Sequence, residues 1–96
     1  MDFKVIYTEP ALAELADIVE RSWQQHPATT ERFFTSLLNH VDSLKSFPNL
    51  GAPVEEHPNV RCLLHSPLKV FYRVNKERKL VEVLHFWHGA REDPEL

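Results

Sequence analysis

The hydrophobic period of this chain changes once. Before Pro48 the apolar side chains recur every three or four residues, and after Pro58 they alternate. A chain of 96 residues holds enough material for one core, so the change of period divides a single domain, 1–96, into a helical first part and a stranded second part. Helices segregated from strands in this way point to the α+β class, with the helices gathered on one face of a sheet.

The individual elements follow from local chemistry. Phe3, Val5 and Tyr7 alternate with Lys4 and Ile6, and this strand ends at Thr8-Glu9-Pro10, where a capping hydroxyl precedes a proline. Leu12, Leu15, Ile18, Val19 and Ser22/Trp23 then form the apolar stripe of a helix, opposite Glu14, Asp17, Glu20 and Arg21. His26-Pro27 stops it, because proline cannot continue a helix but suits the first turn of the next. Phe34, Leu37, Leu38, Val41, Leu44 and Phe47 give the second helix its stripe, up to Pro48. Pro48, Gly51, Pro53 and Pro58 punctuate a connecting loop. Three strands follow, Val60–His65, Leu68–Asn75 and Leu80–His88, and the short turns between them make antiparallel neighbours. The expected order is β-α-α-β-β-β, a helical hairpin packed on a mainly antiparallel four-stranded sheet.

Charge sets limits on function. The chain carries −3 overall, which is not the balance of a generic nucleic-acid binder. Residues 1–56 sum to −5, residues 57–91 to +5, and the last five residues to −3. The basic segment is the candidate surface for an anion. Cys62 is the one cysteine, so there is no internal disulfide, and a cytoplasmic location is expected. Residues 1–7 lack the apolar core of a signal peptide, and no run is long enough to span a bilayer, so no membrane partner is expected.

Strand parity distributes the basic residues. Lys69, Phe71, Arg73 and Asn75 share one face of their strand, leaving Leu68, Val70, Tyr72 and Val74 for the core. Arg61 shares parity with Leu63 and His65 on the preceding strand, so it is expected to join Lys69 and Arg73 on a basic face. Such a face can hold phosphate and stabilise charge developing on it. The alternative use is a solvated face whose cations pair with helical carboxylates. Metal binding is not expected, because His85 and His88 lie three apart in a strand and point to opposite faces. Phe71, Phe86 and Trp87 can either stack on bases or fill the core.

Four signatures in this order are similar to those of the RelE/ParE superfamily of toxins, and closer to its ParE-like branch. They are Tyr7-Thr8-Glu9-Pro10-Ala11; Leu44-Lys45-Ser46-Phe47-Pro48 with Leu50-Gly51-Ala52-Pro53; Lys69-Val70-Phe71-Tyr72-Arg73-Val74; and Leu84-His85-Phe86-Trp87-His88-Gly89-Ala90-Arg91. The resemblance implies the toxin of a type II toxin-antitoxin, or plasmid stabilisation, module. Such a toxin inhibits growth when free, is neutralised by a cognate antitoxin, can form a hetero-oligomer with it, and needs no cofactor.

Two targets are implied, DNA gyrase for ParE-like members and ribosome-bound mRNA for RelE-like ones; a third alternative is an inactive paralogue that only binds antitoxin. If the chain is an enzyme, it is a metal-independent mRNA endonuclease. Lys69 then stands where RelE-like nucleases carry an arginine, Arg91 matches a basic residue near their last strand, and Arg61 lies near one of their lysines. His88, with Glu55 or Glu56, would supply acid and base, since an imidazole titrates near neutrality. Catalysis is thus expected of Lys69, Arg91 and His88, and target binding of Arg61, Lys69, Arg73 and Arg91. Leu63 replaces a second RelE lysine, and the C-terminal tyrosine of RelE has no counterpart.

Overall fold

Thr8 is where the first strand becomes the first helix. Its hydroxyl accepts from the Ala11 N–H at 3.3 Å, as an N-cap does, and donates to the Val83 carbonyl at 2.9 Å. Pro10 sits in the first helical turn, where a missing N–H costs nothing. The computed structural model describes residues 2–96, so Met1 of the expected domain lies outside the described residues. Within them the order is β1 (Lys4–Tyr7), α1 (Glu9–Gln25), α2 (Pro27–Asp42), a 3-10 turn (Ser43–Lys45), β2 (Ala52–Pro53), β3 (Val60–His65), β4 (Leu68–Asn75) and β5 (Leu80–His88).

The α+β expectation holds, and the last three strands have the expected bounds. The sheet has five strands rather than four, in the order β1-β5-β4-β3-β2. The extra strand is the dipeptide Ala52–Pro53, whose pairing with Arg61 and Cys62 no periodicity can announce. Only β1 is parallel to its neighbour, β5.

One sheet face is covered by the helical hairpin. Leu68, Val70, Tyr72 and Val74 of β4, Leu63 of β3, and Val81, Val83 and Phe86 of β5 form a single cluster with Phe34, Leu37, Val41 and Leu44. Each large side chain fully buried there contributes about 1.5–3 kcal/mol. The hairpin corner is polar but satisfied: the buried Thr30 hydroxyl donates to the His26 carbonyl at 2.6 Å and lies 2.6 Å from the Ser22 hydroxyl. Leu12, Leu38 and Phe47, expected on the buried stripes, are exposed. The sheet meets each helix along a band narrower than its stripe, and Ala11 is the only fully buried residue of α1.

The loop between helices and sheet is held by a tyrosine. Tyr72, wholly buried at the middle of the sheet, donates its hydroxyl to the Pro48 carbonyl at 2.8 Å and accepts from the Gly51 N–H at 2.8 Å. A Cβ on Gly51 would meet the Cys62 carbonyl oxygen at 2.7 Å and the Tyr72 ring at 2.9 Å, so no other residue fits there. Replacing Tyr72 by Phe leaves the Gly51 N–H buried without a partner. We expect Tyr72→Phe to lower the unfolding free energy by about 1–3 kcal/mol in a urea titration.

A histidine pair joins α2 to the sheet: the Nδ1 atoms of His40 and His65 lie 2.8 Å apart, so one ring must be neutral there to accept from the other. Burial, and then His40 itself, push the pKa of His65 below its ordinary 6.5. A depressed histidine contributes stability that is complete above the unfolded value and is lost as pH falls through the folded one. Stability should therefore decline as pH falls below His65's ordinary 6.5, and His65→Gln should flatten that decline. Unfolding curves for both proteins above and below that pH are the check.

Candidate functional site

β5 carries one residue more than β4 along their shared ladder. Phe71 pairs with His85, but Tyr72 pairs with Val83, so Leu84 is the extra residue of a bulge. Up to Val83 the odd-numbered residues of β5 face the helices, and beyond the bulge the even-numbered ones do, which is why Val81, Val83 and Phe86 share one core. His85 and Trp87 are thereby placed opposite Phe71 and Lys69 on the face away from the helices.

That face is where the candidate cations meet. Trp87 is the direct cross-strand partner of Lys69, and the Arg91 guanidinium lies 4.2 Å from the centre of the Trp87 ring. The His85 and Trp87 rings meet edge to face at 5.7 Å. The Lys69 ammonium donates to the Asp93 carboxylate at 3.0 Å, and this hydrogen bond raises its pKa above the ordinary value. Cys62 stands opposite Phe71 on the same face, its thiol pushed up chiefly by burial, with Lys69 opposing and Asp93 adding. Phe71, midway along, is buried although it faces away from the helices.

Two of the expected residues lie on the other face and a third lies apart on the same one. Arg61 pairs with Tyr72, so it stands on the helix side and not with Lys69 and Arg73. Its guanidinium donates to the Gly51 carbonyl at 2.6 Å and the Asn49 carbonyl at 3.2 Å, and it clamps the loop that Tyr72 holds. Strand parity within β3 is as expected for Arg61, Leu63 and His65; the β3–β4 register assigns that parity to the core side. Arg73 does share the Lys69 face, but four residues along a strand separate them by about 13 Å, and its cross-strand partner is Glu82. His88 pairs with Leu68 on the helix side, where it lines a cavity of about 340 Å³ with Ile18, Phe33, Phe34 and His26. Lys69 and Arg91 are thus brought together, while Arg61, Arg73 and His88 are not. Among the described residues no group of three or more metal-ligating side chains converges.

The contact that sequence reasoning missed is Glu14. β1 ends at Tyr7, opposite Val83, so the far half of β5 has a free edge. The Glu14 carboxylate from α1 fills it, accepting from the Phe86 N–H at 3.2 Å and lying 3.0 Å from the His85 Nδ1. Glu14 thus stands in for the missing strand and fixes the His85 ring. The signal in the sequence is faint: Glu14 falls between apolar positions of α1 and reads as solvated. Glu14→Ala should lower the unfolding free energy by about 1–2 kcal/mol and speed exchange of the Phe86 amide, measured by hydrogen exchange and NMR.

Residues 5–93 match the family described as the ParE toxin of the type II toxin-antitoxin system parDE. The fold is similar to that of a chain from the chromosomal ParDE toxin-antitoxin system of P. aeruginosa, with TM-score 0.74 and 23% identity over 90% of this chain and 95% of that one. It is also similar to a chain of the RelBE2 toxin-antitoxin complex of Mycobacterium tuberculosis, with TM-score 0.68 and 16% identity over 92% and 99%. The isolated E. coli RelE toxin gives TM-score 0.58 and 20% identity over 95% and 88%. A comparison with the curated proteins finds no match. The similarity to the solved structures concerns the fold, whereas the family match runs through both the helical hairpin and the Lys69–Trp87–Arg91 cluster; this chain belongs to the ParE toxin family of type II toxin-antitoxin systems.

Proposed function

We propose that this toxin is ParE-like in action: a cytoplasmic growth inhibitor that binds DNA gyrase and is neutralised by a cognate antitoxin with which it forms a hetero-oligomer. The observation that carries this reading is the dispersal of the nuclease set. Cleavage of RNA through a 2′-hydroxyl needs a base, an acid and cations within reach of one phosphate. Here His88 and Arg61 lie across the sheet from Lys69, and Arg73 stands about 13 Å along the strand. What remains is a binding surface of Trp87 flanked by Lys69 and Arg91. A rigid aromatic beside two cations suits protein recognition. The antitoxin partner is supported by the toxin-antitoxin complexes in which similar folds occur.

A second reading, the ribosome-dependent mRNA endonuclease, is favoured by one contact. His85, held by Glu14, shares the Lys69 face and replaces His88 as the imidazole available to a bound phosphate.

Expression without antitoxin separates the readings. The expected result is growth arrest with intact mRNA, a DNA-damage response and inhibition of supercoiling by purified gyrase. Lys69→Ala combined with Arg91→Ala should weaken that inhibition about tenfold or more, the effect of removing charges at a binding surface. Codon-phased mRNA cuts that disappear in Lys69→Ala would sink the gyrase reading. Binding of antitoxin with no growth arrest would identify an inactive paralogue.

A further inference from the structure

The acidic end of the chain does not trail into solvent. At Gly89 the chain leaves β5 through a turn, where the Gly89 N–H donates to the Pro67 carbonyl at 2.8 Å and the Arg91 N–H to the His88 carbonyl at 3.1 Å. It then crosses the face away from the helices. The Trp87 Nε1–H donates to the Glu92 carbonyl at 2.7 Å, and Lys69 donates to Asp93 at 3.0 Å. Residues 92–96 carry Glu92, Asp93 and Glu95 and no cation, so the −3 end of the chain lies on its +5 segment. The indole N–H and the ammonium, the donors on this face best suited to a target, are both occupied from within the chain.

The tail is held by bonds that exchange readily. Glu92, Asp93 and Glu95 are exposed, and the Lys69–Asp93 pair is open to solvent, where ion pairs are weak and screened by salt. The core cluster contains no residue beyond Phe86, so the helix-covered side does not depend on the tail. A carboxylate on Lys69 beside a carbonyl on an indole N–H is also the pattern that an anionic ligand would reproduce from outside.

We propose that residues 92–96 form an internal, displaceable cover over the Lys69–Trp87 face, with the Asp93 carboxylate occupying the place taken by an anionic group of the target. This rests on the reading above that the face meets the toxin's target. The cover restrains binding until a ligand carrying several negative charges displaces it.

The test compares the parent protein, Asp93→Asn, and a chain ending at Arg91, using a fluorescein-labelled oligouridylate as the anionic probe and fluorescence anisotropy as the readout. At low salt, about 50 mM, both variants should bind the probe about threefold to tenfold more tightly than the parent, and the difference should shrink at about 0.5 M. Lys69→Ala in the shortened chain should remove the gain. Equal affinities for all three proteins, or a gain that survives Lys69→Ala, would overturn the proposal. Docking itself is read from the Trp87 indole N–H resonance, identified by its loss in Trp87→Phe: its chemical shift should differ between the parent and the shortened chain, because only the parent donates it to the Glu92 carbonyl. An identical indole shift in the two proteins would also overturn the proposal.

The functional reading fails separately. If the variants bind the probe more tightly but none arrests growth, the cover stands and the toxin reading falls. If parent and shortened chain inhibit gyrase equally and bind the probe equally, the toxin reading stands and the cover falls.

Discussion

A single extra residue in β5 sets the layout of the molecule. With Leu84 left out of the ladder, the strand presents Val81 and Val83 to the helices before the bulge, and Phe86 and His88 after it. An unbroken strand with Val81 and Val83 inside would have placed Trp87 in the core and Phe86 and His88 beside Lys69. The bulge coincides with the end of β1, so the same stretch of β5 loses a neighbour and changes phase. Glu14 and Thr8 then close the junction from the helical side, one on the free Phe86 N–H and the other on the Val83 carbonyl.

The second constraint is the loop that leads from helices to sheet. Its backbone runs close over the middle of the sheet, where unpaired N–H and C=O groups are costly. Tyr72 and Arg61 meet that demand together, Tyr72 by donating to Pro48 and accepting from Gly51, Arg61 by donating to Gly51 and Asn49. Arg61, expected among the target-binding cations, thus holds the loop in this structure. His65, which shares its strand parity, meets the His40 imidazole on the helix side.

The face away from the helices follows another principle. Its polar groups are joined by exposed, exchangeable contacts: Lys69 with Asp93, Arg91 on Trp87, Trp87 with Glu92. Such contacts contribute little to stability and are easily replaced by equivalent ones from a partner. Stability is concentrated on one side of the sheet and the proposed recognition surface lies on the other, a division that a small domain with a single core can sustain.

The sequence by itself determined the class, the order of the two helices and the four longer strands, and the bounds of the last three strands, because hydrophobic period and the prolines at 10, 27, 48 and 58 are local properties. It also determined which residues of β4 are core, since Leu68, Val70, Tyr72 and Val74 alternate without interruption. The candidate site was legible only in part. Lys69 and Arg91 do meet, around Trp87, whereas Arg61, Arg73 and His88 do not join them. The strand Ala52–Pro53 and the Glu14 cap left no readable trace, because each depends on a backbone edge that exists only once the sheet is assembled. Parity tells which residues of one strand share a face; register and bulges tell which face of the sheet that is, and these are fixed by pairing between segments far apart in the chain. The tertiary structure alone decided that His85 rather than His88 stands beside Trp87, opposite the Lys69 strand.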